Sequence, residues 1–392
     1  MKKTIKGGIC LFLAAVLLCL CCLSAFAAEE LAPINEGGKE PGMRFDCRAA
    51  ILMDAKTGAV LFEQNPDEAL PPASVTKIMT LLLVMEAVDS GKIALSDMVT
   101  VSANAASMGG SQVFLKEGET MSVEEMLKCV VIASANDCAV ALAEHVAGSE
   151  ARFVEQMNAR AASLGMVNTH FENTNGLDDT VTAHLTSARD IAIMSRELIG
   201  HKTILKYSGI WMDTIRDGAF GLTNTNRLVR FYRGCTGLKT GSTAKAKFCV
   251  SVTAEREGLS LICVVMAANS RDERNAIATK LLDFGFANYA TLEAAGGTLE
   301  ARVTGGKAAT LTLGYPAFSA TVPKGATSRV EKAVELPETI AAPVEAGQEV
   351  GQVIYTLDGK ELGRVPITAS SAVEKMDIAT MFWRLLQKFL LC

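Results

Sequence analysis

The sequence predicts an α+β domain, an antiparallel sheet with helices packed on it, followed by a small all-β domain and a C-terminal amphipathic helix. Three observations carry this. Segments of helical and of strand period alternate along the chain as far as about Ala290. Beyond that point Gly-rich turns separate short alternating runs. The last stretch, Met376 to Cys392, returns to a helical stripe. Of the 392 residues, 49% are hydrophobic and 21% charged, with no low-complexity tract and no repeat of fixed period. That composition buries a sizeable core, and the length suits two domains.

The N-terminus reads as an export signal, residues 1–27. Lys2, Lys3 and Lys6 form its positive start, Ile9 to Leu23 its apolar run, and Ala25-Phe26-Ala27 a small-x-small cleavage site. An uncleaved membrane anchor is the competing reading. Residues 28–46 make a loose leader with Pro33, Gly37, Gly38, Pro41 and Gly42. The first domain is expected over 47–290 and the β domain over 291–373.

Within the first domain, Ala49 to Met53 and Val60 to Phe62 are strand-like runs joined by a hairpin turn, Asp54 to Gly58. Pro71 and Pro72 stop the extended chain, and an apolar helix follows from about Ser74 to Ser90, ended by Gly91. Ser122-Val123-Glu124-Glu125 is a capping box opening a helix to Ile132, and another helix runs from about Asp137 to Val146. Ser187 to Asp190 is a further capping box, with its helix reaching about Leu198. Phe248 to Ala254 and Leu259 to Ala267 flank a hairpin at Glu255 to Gly258, and Ala276 to Phe284 is a last helix. In the second domain Thr310 to Leu313 and Val350 to Leu357 alternate as strands.

The terminal helix, 376–392, places Ile378, Met381, Phe382, Leu385, Leu386, Phe389 and Leu390 on one face. It is too short and too charged to span a bilayer. An amphipathic helix lying on a membrane surface fits it; packing on its own domain is the alternative.

The net charge is −5, and the basic signal makes the remainder more acidic still, so nothing points to nucleic acid. Four of the eleven cysteines lie in the signal. The other seven (Cys47, Cys129, Cys138, Cys235, Cys249, Cys263, Cys392) are scattered and odd in number, which reads as buried thiols rather than a disulfide framework. The four histidines lack metal-ligand spacing, so neither a metal nor a cofactor is implied.

Serine needs a base to become a nucleophile, and no Ser-His-Asp context is recognisable. Ser74-Val75-Thr76-Lys77 offers a lysine instead. At a helix start, positions i and i+3 share a face, so hydroxyl and amine can meet where helix N–H groups favour an anion. The tetrapeptide alone is weak; Ser242-Thr243-Ala244-Lys245 repeats it in expected extended chain, where its ends would point apart. The stronger signal is order: Ser74-xx-Lys77, then Ser134-Ala135-Asn136, then Lys239-Thr240-Gly241. Decoys exist at Ser102-Ala103-Asn104 and Lys56-Thr57-Gly58. Context selects the later copies: Ser134 breaks two helices, and Lys239 to Gly241 opens a strand where Gly241 would let a substrate backbone approach.

This ordered triplet resembles the penicillin-recognising serine enzymes. Ser134 to Asp137, Asn173-Thr174-Asn175-Gly176-Leu177, His184 to Asp190 and Gly237 to Gly241 sharpen the resemblance to the low-molecular-mass D-alanyl-D-alanine carboxypeptidases, peptidase family S11, over about residues 45–290. The lysine-rich stretch Thr243 to Lys247 departs from that pattern. The resemblance implies a β-lactamase/transpeptidase-like fold and roles for residues. Ser74 would attack the carbonyl between two terminal D-alanines of a peptidoglycan stem peptide, with a neutral Lys77 as base. Ser134 would relay a proton to the leaving D-alanine, and Asn136 would hold Lys77 and the substrate amide. Lys239 and Thr240 would bind the terminal carboxylate, and the N–H groups of Ser74 and Ser242 would form the oxyanion hole. Arg274 is a further candidate for the carboxylate, against a surface salt bridge. β-Lactam antibiotics would acylate the same serine, and the enzyme would work outside the cytoplasmic membrane. A β-lactamase is the rival enzyme reading; it needs a deacylating glutamate after the second motif, where only Glu172 stands. A non-catalytic wall-binding protein is the rival from another class. His184 and Asp190 are expected to be structural.

Overall fold

A computed structural model describes residues 43–390; the expected export signal, residues 1–27, and most of the expected leader lie outside the described residues. The first domain is built on a five-stranded antiparallel sheet. Its strands are β1 (Ala49–Asp54), β2 (Val60–Gln64), β3 (Cys235–Thr243), β4 (Lys247–Arg256) and β5 (Leu259–Ala268), in the spatial order β2-β1-β5-β4-β3. All six residues of β1 are buried, because helices cover both faces. Ile51, Met53, Val264 and Met266 face one helical layer; Leu52, Val252 and Leu261 face the other.

The first layer centres on α1 (Lys77–Asp89), whose sequence is apolar around its whole circumference. Such a helix belongs inside, and every residue from Lys77 to Met85 is buried. It packs beside α2 (Asn136–Ala147) and α3 (Ala188–Gly200). The opposite face carries α4 (Arg271–Asn288), capped by the Ser270 hydroxyl accepting the Glu273 N–H.

Three elements differ from the sequence expectation. The helix expected from Ser74 begins as a 3-10 turn, Ala73–Thr76, and becomes α-helical only at Lys77. The helix expected over Ser122 to Ile132 is α only over Val123–Lys128. It then widens into a π turn, Cys129–Ala133, which ends on Ser134 in the left-handed region at φ 65°. Helix α4 starts a turn earlier than the apolar run announced, since its capping serine precedes a polar first turn.

The second domain pairs Tyr289–Ala294 with Phe318–Pro323 and adds a six-stranded sheet around Leu311, Leu313, Val353, Tyr355 and Ile367. It is tied to the first by Asp54, fully buried at the end of β1. One carboxylate oxygen accepts the Lys56 N–H at 2.8 Å within the hairpin. The other accepts the hydroxyls of Thr321 at 2.7 Å and Thr291 at 3.2 Å from the second domain. The decoy triplet Lys56-Thr57-Gly58 therefore belongs to a domain joint, with Thr57 also touching Thr321.

The terminal helix forms over Ile378–Leu390. Ile378, Phe382, Trp383, Phe389 and Leu390 are all more than 60% exposed, so the domain does not cover its apolar face. Among the described residues no helix is long and apolar enough to cross a membrane.

Candidate active site

Ser74 lies in the 3-10 turn between Pro72 and α1. Ala73, just before it, takes φ 49°, an unusual conformation for a residue with a side chain. Two glycines from distant segments hold that turn. A Cβ on Gly176 would stand 1.9 Å from the Ala73 carbonyl oxygen. One on Gly241 would stand 2.8 Å from both the Pro72 oxygen and the Ser74 nitrogen. Gly241 is thus required for the approach of the protein's own nucleophile turn, a contact the sequence did not suggest.

Lys77 occupies the first turn of α1 with no solvent exposure. Its Nζ is 3.0 Å from Ser74 Oγ, 2.5 Å from Asn136 Oδ1 and 2.7 Å from the Asn175 carbonyl oxygen. Burial, and then the charge of Lys239, push its pKa well below the ordinary lysine value, against a smaller opposing pull from Asp137. Two of these three partners accept but cannot donate. A neutral amine has two N–H donors and one lone pair. Giving both donors to Asn136 and Asn175 leaves the lone pair aimed at the Ser74 hydroxyl.

The Asn175 carbonyl is the member that motif reading missed. The loop Asn173 to Leu177 aims it by bonding to itself. Asn173 Oδ1 accepts the Gly176 N–H at 2.7 Å, Asn173 Nδ2 donates to the Leu177 oxygen, and Asn175 Oδ1 accepts the Leu177 N–H. Such side-chain-to-backbone closure is what Asn in a Gly-containing block can provide, and that was the available signal.

Ser134 and Asn136 come from the join of the π turn and α2. Both Ser134 and Ala135 donate their N–H to the Cys129 carbonyl, which turns the chain sharply. Ser134 is 3% exposed, and among the described residues its hydroxyl has no protein partner. Asn136 donates its amide nitrogen to the Gly109 oxygen at 2.6 Å, which fixes its Oδ1 toward Lys77. Its neighbour Asp137, buried, accepts the N–H groups of Val113 and Leu115 at 3.1 Å each, anchoring the loop before the second motif.

Strand β3 is the free edge of the sheet and carries the third motif. Lys239 is 1% exposed, and among the described residues its Nζ donates only to the Thr240 oxygen, at 2.9 Å. Burial and then the nearby Arg274 bring its pKa down to about 7. Arg274 is itself 3% exposed. Its guanidinium donates to the Cys249 oxygen and to Asn275 Oδ1, with no hydrogen bond to a carboxylate. A surface salt bridge is therefore excluded. Two buried cations without an anion make this end of the site attractive to a carboxylate. Thr240 donates to Thr225 Oγ1 at 2.8 Å, and Thr225 donates its N–H to Ile132, joining β3 to the π turn. Ser242, at the outer end of β3, is exposed, and Ser74 is half-buried, so the site opens to solvent at these two residues.

The remaining candidates take supporting places. His184 Nδ1 accepts the Glu172 N–H at 3.0 Å, so its Nε2 donates to Thr76 Oγ1 at 2.7 Å behind the nucleophile turn. Burial lowers its pKa to about 4 and keeps it neutral. Asp190 accepts from Asn168 and Thr169. Ser102 caps a short helix, and Lys245 bonds to the Asp178 carbonyl rather than to Ser242. The Cys235 thiol donates to the Gly237 oxygen, and burial raises its pKa to about 11. Among the described residues six cysteines are free, and no cluster of side chains could hold a metal ion.

Comparison with known proteins finds a family and similar structures for the chain. A family model described as D-alanyl-D-alanine carboxypeptidase matches residues 36–270, and one described as the C-terminal domain of penicillin-binding protein 5 matches residues 289–375. The D-alanyl-D-alanine carboxypeptidase DacF of Bacillus subtilis is 42% identical over 369 residues, 92% of this chain and 93% of its own. The crystal structure of penicillin binding protein 5 from Haemophilus influenzae superposes with a TM-score of 0.77 at 34% identity, covering 85% of this chain and 99% of that one. Penicillin-binding protein D2 of Listeria monocytogenes, solved in an ampicillin-bound form, gives a TM-score of 0.58 at 32% identity over 63% of this chain and all of its own.

Gly241→Ala puts a methyl group against the Ser74 nitrogen. The turn must retreat, and a displacement near 1 Å costs on the order of 100-fold in rate. Acylation of Gly241→Ala by a fluorescent penicillin should slow by about that factor while the far-ultraviolet circular dichroism stays that of the parent. An unchanged acylation rate would remove the glycine from the account.

Proposed function

The chain belongs to the D-alanyl-D-alanine carboxypeptidase family, and from that membership we propose that it releases the terminal D-alanine of peptidoglycan stem peptides through an acyl-enzyme on Ser74. The observation that carries this reading is the environment of Lys77: a desolvated amine with both donors committed to carbonyls and its lone pair on Ser74 Oγ.

The steps follow from the geometry. Lys77 takes the Ser74 proton as the oxygen attacks the carbonyl between the last two D-alanines. Negative charge develops on that carbonyl oxygen, beside the N–H of Ser74 at the start of the helical turn and the N–H of Ser242 on the edge strand. The substrate's free carboxylate lies toward Lys239, Thr240 and Arg274, which discriminates a chain end from an internal peptide bond. Ser134, its hydroxyl uncommitted, passes the proton to the departing D-alanine amine. Water then releases the shortened peptide. A β-lactam follows the same first step and leaves Ser74 acylated. The rival β-lactamase reading loses support because the Glu172 carboxylate is engaged by the N–H groups of Thr182 and Ala183.

Two features support an extracytoplasmic, membrane-surface location. The sequence opens on an export signal, and the terminal helix presents Ile378, Phe382, Trp383, Phe389 and Leu390 uncovered. With its apolar face in the lipid interface, that helix would hold the catalytic domain near its substrate.

Ser74→Ala should lose covalent penicillin labelling and reduce D-alanine release from a pentapeptide by about 10⁴-fold or more. Mass spectrometry that still finds an adduct on that variant would refute the assignment of the nucleophile.

The pH dependence follows from the two lysines. Lys77 must be neutral, so activity rises as pH increases through its lowered pKa. Lys239 must be charged, so kcat/KM should fall as pH rises through about 7. Lys239→Arg keeps its charge, and its profile should lack that alkaline fall; the same fall in both proteins would put the titrating group elsewhere.

Removing residues 376–392 should shift the protein from the membrane fraction to the soluble fraction without loss of penicillin labelling. A truncated chain that still sediments with membranes would end the anchoring proposal.

A further inference from the structure

Away from the reacting groups, an open cavity of about 660 Å³ lies between the loop that precedes the second motif and the hairpin formed by Met212–Ile215 and Phe220–Thr223. Its aromatic wall is Phe114, 63% exposed and held at φ 59°. A bulky residue in that region is strained and persists only where its surroundings impose it. Here they do. The residues on either side, Val113 and Leu115, are buried and donate their N–H groups to the Asp137 carboxylate, so Phe114 between them is turned out to solvent. Across the cavity Phe220 meets it edge to face at 6.3 Å, and Arg216 lies over the Phe220 ring while donating to the Val113 oxygen. Lys116 and Glu117, both exposed, also line it.

We propose that this cavity is a subsite for a pyranose ring of the glycan to which the stem peptide is attached; the inference rests on the carboxypeptidase reading and adds a part of the substrate to it. The chemistry suits a sugar. A ring with an apolar face and polar rim can lie against an exposed phenyl group while its hydroxyl and acetamido groups reach a lysine and a glutamate. The reach suits it too. A stem peptide covers about 3.3–3.6 Å per residue, so four residues upstream of the scissile carbonyl place the sugar about 13 Å away. The loop that carries Phe114 is tied to the reacting groups, since Asp137 accepts the N–H groups of Val113 and Leu115 and its neighbour Asn136 holds Lys77.

The test compares kcat/KM for D-alanine release from a free pentapeptide and from the same peptide carried on its disaccharide. The parent enzyme should favour the glycan-bearing substrate. Phe114→Ala should lower that preference about threefold to tenfold, and Phe114→Trp should retain it. Lys116→Ala, an exposed position that does not endanger the fold, should lower it in the same direction. A parent without preference, or a ratio unmoved by these variants, overturns the subsite while leaving the carboxypeptidase intact. Absence of turnover on both substrates together with absence of penicillin labelling would instead overturn the underlying activity, and the subsite with it.

Discussion

The structure depends on keeping one amine uncharged inside protein. A lysine at the start of a buried helix, cut off from water, faces a large desolvation penalty if protonated. Lys77 has no carboxylate within hydrogen-bonding reach to relieve it; its partners are two carbonyl oxygens and a hydroxyl. A second cation, Lys239, adds repulsion. The carbonyls still satisfy its N–H donors, so the neutral form is both tolerated and oriented. Basicity is lost in the process, but availability is gained, because a lysine with a lowered pKa is deprotonated, and free to accept the serine proton, at a lower pH than an ordinary lysine.

The fold contributes the rigidity this arrangement needs. Helix α1 is buried all round, so Lys77 cannot move without disturbing the centre of the domain. The nucleophile turn is clamped by Gly176 on one side and Gly241 on the other, each at a distance that no side chain would allow. Asn136 is fixed by the Gly109 carbonyl, and Thr240 by Thr225. Each reacting group is thus oriented by a neighbour outside the reaction, which is how a site stays within the small tolerances of acyl transfer.

Much of this was legible in the sequence, for physical reasons that differ by element. The apolar run after Pro72, the capping serines at Ser122 and Ser187 and the hairpin at Glu255 to Gly258 are local signals, and they placed helices and strands well. Order along the chain separated Lys239-Thr240-Gly241 from its decoy at Lys56. Two features escaped because they are not local. The Asn175 carbonyl is a backbone atom, invisible to a search for reactive side chains, although its Asn-rich loop was noticed. The packing of the nucleophile turn against Gly241 was not foreseen, because nothing in the sequence says that Pro72 to Val75 would lie there. The π turn before Ser134 likewise reads as plain helix, since its apolar residues keep helical spacing until the chain turns at a non-glycine residue with positive φ.

The same geometry bears on the second half of the reaction. After acylation, water must reach the ester carbon with a base beside it to take its proton. In this chain the glutamate nearest in sequence to the expected place, Glu172, is exposed, and one of its oxygens accepts two backbone N–H groups of the loop leading to His184. It organises that loop and is poorly placed to activate water. On the mechanism proposed above, Lys77 serves as the base for deacylation as well as acylation. For a peptide acyl group the departed D-alanine vacates room for water beside it. A β-lactam acyl group keeps its leaving nitrogen tethered, since the ring opens without releasing a fragment. Under that proposal, one lysine serving both half-reactions, together with the tethered leaving nitrogen, would account for turnover of a peptide and arrest by a cyclic amide of similar shape.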